Sequence, residues 1–203
     1  MKITAVEKAK GNRYTVFVDG AYWYILDLEI ILKNHLEPGR EVDEEQLEEL
    51  RQQAERRTAR ERAYYLLGYR DHSCKELYDK LQKSARPEIA AEIVALMQEQ
   101  GLLDDEKYAR KLAAYYLESK KWGSRRVFQE LYRRGIDREL IQEALEACAV
   151  DPRPQILAII ERKYAAALED GWKGRQRTAA ALVRMGYSYD DINAALAAYG
   201  EEE

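Results

Sequence analysis

The chain has 203 residues, 46% of them hydrophobic and 34% charged, with a formal net charge of −4. That hydrophobic share excludes wholesale disorder, no apolar run approaches the roughly 20 residues that a bilayer span needs, and an acidic total argues against a nonspecific nucleic-acid binder. Cys74 and Cys148 lie far apart and near no histidine cluster, which sets aside a disulfide framework or a zinc site and makes a reducing cytoplasm the expected setting.

Few glycines and prolines beside many Ala, Leu, Glu, Lys and Arg residues favour helix, yet the first segment reads as β. Tyr14, Val16 and Val18 alternate with Arg13, Thr15 and Phe17, and Asp19-Gly20 separates them from the aromatic run Tyr22-Trp23-Tyr24-Ile25. Asp-Gly between two β-prone runs predicts a hairpin, because a type I′ turn needs positive φ. Ile3 to Glu7 supplies a third strand, with Gly11-Asn12 as its turn. The stretch "DLEIILKNHLEPGREV" predicts a short helix stopped by Pro38-Gly39. Asp43 then caps a charged helix from about Glu44 to Leu67, whose apolar side is Leu47, Leu50, Ala54 and Ala63.

From about residue 60 the sequence repeats. At a constant offset of 51, Gly123, Leu131, Gly135, Ile141 and Leu145 match Gly174, Leu182, Gly186, Ile192 and Leu196, and Arg126 and Arg133 fall on Arg177 and Arg184. A weaker third copy covers residues 73–97, with Leu77 and Leu81 at the places of Val127 and Leu131. Each copy reads as a leading helix (about 59–69, 105–121 and 154–170) followed by two matched ones. Gly68, Gly101, Gly135, Gly171 and Gly186 stand at expected helix ends, and Ser73, Asp104, Ser124 and Asp137 at expected N-caps. A unit of about 45 residues buries little surface alone, so neighbouring units should share packing. The expected architecture is mainly α: tandem three-helix repeats in an elongated array behind a small β-hairpin extension. Its parts are the extension (1–45), a linker helix with repeat one (46–104), repeat two (105–152) and repeat three (153–203).

Charge is uneven along the chain: residues 1–50 carry net −5 and residues 109–138 net +6. On a helical projection from Ser124, Val127, Phe128, Leu131 and Tyr132 form one side, and Arg126, Gln129 and Arg133 the other. The apolar side is core. The basic side is either a solvated face or a contact for phosphates or acidic side chains. The binding candidates are Lys120, Lys121, Trp122, Arg125, Arg126, Arg133 and Arg134 in repeat two, and Lys173, Arg175 and Arg177 in repeat three. Trp122 either stacks on a base or partner or packs across a helix joint. Asp104-Asp105-Glu106 suits a helix start better than acid–base work. Tyr64, Tyr65, Tyr108, Tyr115 and Tyr116 read as core, His35 and His72 as lone surface histidines, and both cysteines as buried small hydrophobes. No phosphate loop, nucleophile elbow or Cys-x-x-Cys is present, so no enzyme, metal or cofactor is expected.

The segment "GLLDDEKYARKLAAYYLESKKWGSRRVFQELYRRGI" resembles the hallmark of RecX regulatory proteins, through Gly101 to Asp105, Tyr108-Ala109, Gly123, Arg125-Arg126, Glu130-Leu131 and Gly135-Ile136. Ser73, Glu76, Leu77, Lys80 and Leu81 are similar to the family's first-repeat pattern. The resemblance implies tandem three-helix repeats. It further implies binding to the RecA recombinase and the RecA–single-stranded-DNA filament, with restraint of ATP hydrolysis, strand exchange and stimulated repressor cleavage in the SOS response. Weak contact with single- or double-stranded DNA, no membrane association and a monomeric state complete the expectation. The alternative is a helical-repeat protein that binds nucleic acid directly.

Overall fold

In the computed structural model, which describes residues 1–149 and 151–201, Asp19 and Gly20 both take positive φ, 50° and 81°. This is the geometry of a type I′ turn. It joins β2 (Arg13–Val18) to β3 (Ala21–Asp27), and β1 (Ile3–Lys8) pairs with the other edge of β2, giving an antiparallel sheet of order β1-β2-β3. Helix α1 (Leu28–Lys33) ends well before Pro38. Its stop is Asn34, whose backbone and side-chain amides both donate to the Ile30 carbonyl, at 3.1 and 2.8 Å. Asp43 caps α2 (Glu44–Tyr69) through a reciprocal capping box with Gln46, the arrangement that satisfies two orphan amides at once.

Cα packing divides the chain into two compact units. The first holds residues 1–70 and 77–102, and the second holds residues 71–76 and the chain from Leu103 onward. Within the first, α2 serves two packings in succession. Leu47, Leu50 and Ala54 close over Ile3, Val16 and Leu26 of the sheet, and the helix also lies against α4 (Pro87–Glu99). Ion pairs fasten both ends of this arrangement. Arg57 binds Asp27, Glu29 and Glu61, while Arg86 binds Glu48 and Glu55. Gly68 lies inside α2 and ends nothing. Tyr64 and Tyr65 are exposed, not core, because the buried stripe of this stretch is Ala59, Ala63 and Leu66. His72 is buried, contrary to its reading as a surface residue.

Helix α3 (Cys74–Leu81) starts in the second unit and continues in the first. The second unit contains α5 (Asp105–Ala114), a π-helical turn (Tyr115–Ser119), α6 (Ser124–Arg133), α7 (Arg138–Ala147), α8 (Arg153–Lys163), α9 (Ala165–Leu168), α10 (Trp172–Arg184) and α11 (Tyr189–Glu201). Both long leading helices expected from sequence are thus interrupted, by the π turn in repeat two and by Tyr164 in repeat three. Repeat two packs around Val127, Leu131, Ile136 and Ile141, and repeat three around Ile156, Ile160, Leu182 and Ile192. Each of these side chains contributes roughly 1.5–3 kcal/mol by leaving water. Asp104 caps α5 by accepting from the Lys107 amide, and Asp137 caps α7. Asp105 reaches across to accept from the Cys74 amide at the start of α3. Ser124 is the first helical residue, and the cap position of α6 is Gly123.

Gly123 has a stronger reason to be glycine. Its amide donates to the Met185 carbonyl at 2.8 Å, and the Arg125 amide to the Gly186 carbonyl at 3.2 Å. The amide end of α6 therefore abuts the carbonyl end of α10, each satisfying the other's unpaired groups with dipoles head to tail. A Cβ on Gly123 would lie 2.2 Å from the Gly186 carbonyl carbon, and one on Gly186 would lie 2.4 Å from Arg126 Cβ. The same joint recurs one repeat earlier: the Ser73 hydroxyl donates to the Arg134 carbonyl, and a Cβ on Gly135 would meet Lys75 at 2.3 Å. In repeat three, Gly174, the counterpart of Gly123, instead faces the Ala167 carbonyl of its own repeat, 1.6 Å from where a Cβ would sit.

Arg134 lies beside the earlier joint. Its guanidinium donates to Glu130, Glu76, Tyr108 Oη and Tyr116 Oη at 3.1–3.2 Å, and its side chain is only 24% exposed.

Two stability measurements follow from these contacts. Gly186→Ala combines a φ of +95° with a blocked approach and should cost about 2–4 kcal/mol by urea denaturation. Gly101→Ala, at the left-handed cap that ends α4 with nothing within 4 Å, should cost only about 1–2 kcal/mol; equal losses would mean that the joint adds nothing. Arg134→Ala should cost about 2–3 kcal/mol, because it removes the guanidinium that two partly buried carboxylates and two tyrosine hydroxyls share. Arg134→Lys should recover little of that, since one ammonium cannot replace a planar fork, whereas Arg133→Ala should leave the denaturation midpoint in place.

Candidate partner-binding surface

The basic segment owes its shape to what precedes α6. After the π-helical turn, Lys121 adopts a left-handed φ of 56°, and the Trp122 amide returns to the Tyr116 carbonyl at 3.0 Å. The chain is held there from the third repeat as well, by Tyr187 Oη donating to the Lys121 carbonyl at 3.0 Å. Burial raises the pKa of the Tyr187 hydroxyl, so it remains a donor at neutral pH.

Within this frame the basic candidates divide. Lys120, Lys121, Arg125, Lys173 and Arg175 are exposed, and none has a carboxylate oxygen within 4.0 Å among the described residues. Lys120 also lies over the exposed Tyr115 ring at 5.5 Å. Arg133 and Arg177 are exposed but paired, with Glu130 and Asp170 respectively. Arg126 is half-buried: its guanidinium lies 3.9 Å from the Trp122 ring centroid, and its Cβ lies against the Gly186 joint. Arg134 turns inward to the carboxylate–tyrosine cluster and leaves the exposed set.

Trp122 fits the packing reading. Tyr116 stacks on it at 4.6 Å with an interplanar angle of 3°, so between that ring and Arg126 no indole face is left for a base. The tyrosines divide too: Tyr108 and Tyr116 are buried, whereas Tyr115 is exposed, contrary to its reading as core. Phe128 is half-buried and stacks on Tyr132, which is itself exposed.

Two cations missed by sequence reasoning belong to this surface. Arg162 and Lys163, at the end of α8, line together with Lys120 and Lys121 a groove of about 1030 Å³ between the second and third repeats. In sequence they lie in an ordinary charged helical turn, and only the docking of α8 brings them beside the connector. A smaller hollow, lined by Arg125, Phe128 and Leu145, lies between α6 and α7.

The Cys74 thiol is pushed up to about 12 by burial and then by the Asp105 carboxylate, which leaves almost no thiolate to act as a nucleophile near neutral pH. Among the described residues no cluster of three or more His, Cys, Asp or Glu side chains is placed to hold a metal ion, and no helix is long and apolar enough to cross a membrane.

Comparison with known proteins agrees with this architecture. Residues 1–43 match the regulatory protein RecX N-terminal domain, and residues 59–95, 104–145 and 155–196 match the first, second and third RecX three-helix domains. Regulatory protein RecX of Bacillus velezensis is 30% identical over 96% of this chain and 76% of its own length. The Pseudomonas savastanoi protein of the same name is 33% identical over 74% of this chain and 94% of its own. A crystal structure of regulatory protein RecX superposes with a TM-score of 0.71 at 21% identity, covering 96% of this chain and 98% of that one. The RecX structure from Lactobacillus salivarius gives 0.65 at 20% identity, covering 70% and 94%. With the sheet-bearing amino-terminal part and all three helical domains matched in order, the chain belongs to the RecX family of regulatory proteins.

Proposed function

We propose that this protein binds the RecA–single-stranded-DNA filament and restrains its ATP hydrolysis, strand exchange and stimulated repressor cleavage, acting in the cytoplasm as a monomer. The observation that carries this reading, beside family membership, is the recurrence of exposed, unpaired cations at equivalent ends of successive repeats: Lys120, Lys121 and Arg125, then Lys173 and Arg175. Repeated weak contacts on linked modules gain through effective concentration. Basic clusters on an acidic protein favour a mixed-charge protein–DNA surface over bare DNA. The mechanism is differential binding: the filament state held more tightly is the one that becomes populated, with no bond made or broken by this chain.

The test is single-stranded-DNA-dependent ATP hydrolysis by RecA during titration with this protein. The native chain should inhibit. The triple variant Lys121→Glu, Arg125→Glu, Arg175→Glu should keep the native denaturation midpoint and need roughly tenfold or more protein for the same inhibition. Full hydrolysis at saturating native protein would falsify the reading. If that result came with steeply salt-dependent binding to DNA alone, direct nucleic-acid binding would take its place.

A further inference from the structure

The groove between the second and third repeats combines four features that structural packing does not require together. Its cations are Lys120 and Lys121 from the connector before α6 and Arg162 and Lys163 from the end of α8, none of them paired with a carboxylate among the described residues. Its carboxylates are Glu118, Asp151 and Asp191, of which Asp151 is neutralised by Arg153, so the groove keeps a positive excess. Its apolar walls include Leu117, Leu145, Pro152 and Ile159, and its aromatic lining is the stacked Trp122 and the buried Tyr187. Finally, Lys121 holds a left-handed backbone where glycine would fit without strain, directly after a π-helical turn. Strained non-glycine residues and π turns both concentrate at functional sites.

We propose that this groove binds an acidic peptide segment that carries apolar side chains. Four unpaired cations lining one groove select an anionic occupant, and its mostly aliphatic walls favour one with hydrophobic side chains of its own. A single DNA strand fits less well, because it binds through bases stacked on free aromatic faces. Trp122 has no such face here, and Tyr187 is buried. The inference goes beyond the proposed function, since the occupant is defined by the groove's chemistry whatever protein supplies it.

The test uses the full chain and fluorescence anisotropy with a labelled peptide alternating Glu and Leu, beside a Gln–Leu counterpart and a labelled oligothymidylate. The Glu–Leu peptide should bind saturably and the Gln–Leu peptide more weakly. Lys121→Gly and Arg162→Gln should each lower affinity by roughly threefold to tenfold, the effect of one partly screened charge contact. Lys121→Gly should also raise the thermal midpoint by relieving the left-handed strain, so its loss of binding cannot come from a weakened fold. Equal binding of both peptides, indifference to both variants, or no saturable binding overturns the proposal. Tighter oligothymidylate binding with the same variant sensitivity reassigns the groove to nucleic acid. A dimer dispersed by Arg162→Gln reassigns it to a second copy of the chain.

Discussion

The abutment of the α10 carbonyl end on the α6 amide end is the constraint on which the second unit depends. Two helix termini that would otherwise need water or side-chain caps satisfy each other, and they can do so only because Gly123 and Gly186 remove both Cβ atoms from the contact. Everything basic near the joint takes its position from this meeting. Arg126 is drawn into it and laid on Trp122, Arg125 is left outside as the next residue facing solvent, and the Lys121 carbonyl is pinned by Tyr187 from the third repeat. The joint thus sorts a run of consecutive cations into those that hold the repeats and those that remain available.

Neighbouring arginines show how sharply local geometry sorts identical chemistry. Arg133 and Arg134 both bind Glu130. Arg133 does so from open solvent, where such a pair is worth little. Arg134 does so at a helix end facing Glu76 and two tyrosine hydroxyls, where removing it takes one hydrogen-bond partner from each of several polar groups. A positive surface cannot therefore be inferred by counting arginines. It is made by those whose partners are missing.

Much of this was legible in the chain itself. The hairpin followed from Asp19-Gly20, the start of α2 from Asp43, and the repeats from glycines and leucines at a constant offset, because each signal is local or periodic. The rest depends on partners distant in sequence. Gly135 and Gly186 could be read as left-handed helix ends, but their second role, admitting another helix, needs the neighbouring repeat. Tyr64 and Tyr65 looked like core by residue type, while the helix buries the smaller Ala59 and Ala63 in their place. His72 looked like a surface residue because no ligand-spaced partner accompanies it in the sequence. Arg162 and Lys163 gave no signal, since a basic turn at a helix end is ordinary until folding brings a second pair of cations to the same groove.

The joint has a direction: the second helix of each repeat begins on the end of the same helix in the repeat that follows. In the third repeat the corresponding place at Gly174 is already filled by the Ala167 carbonyl, supplied by the short helix that interrupts the leading one. One glycine position thus serves two different ends in successive repeats: at Gly123 it admits a neighbouring repeat, and at Gly174 it lets a repeat close on its own short helix.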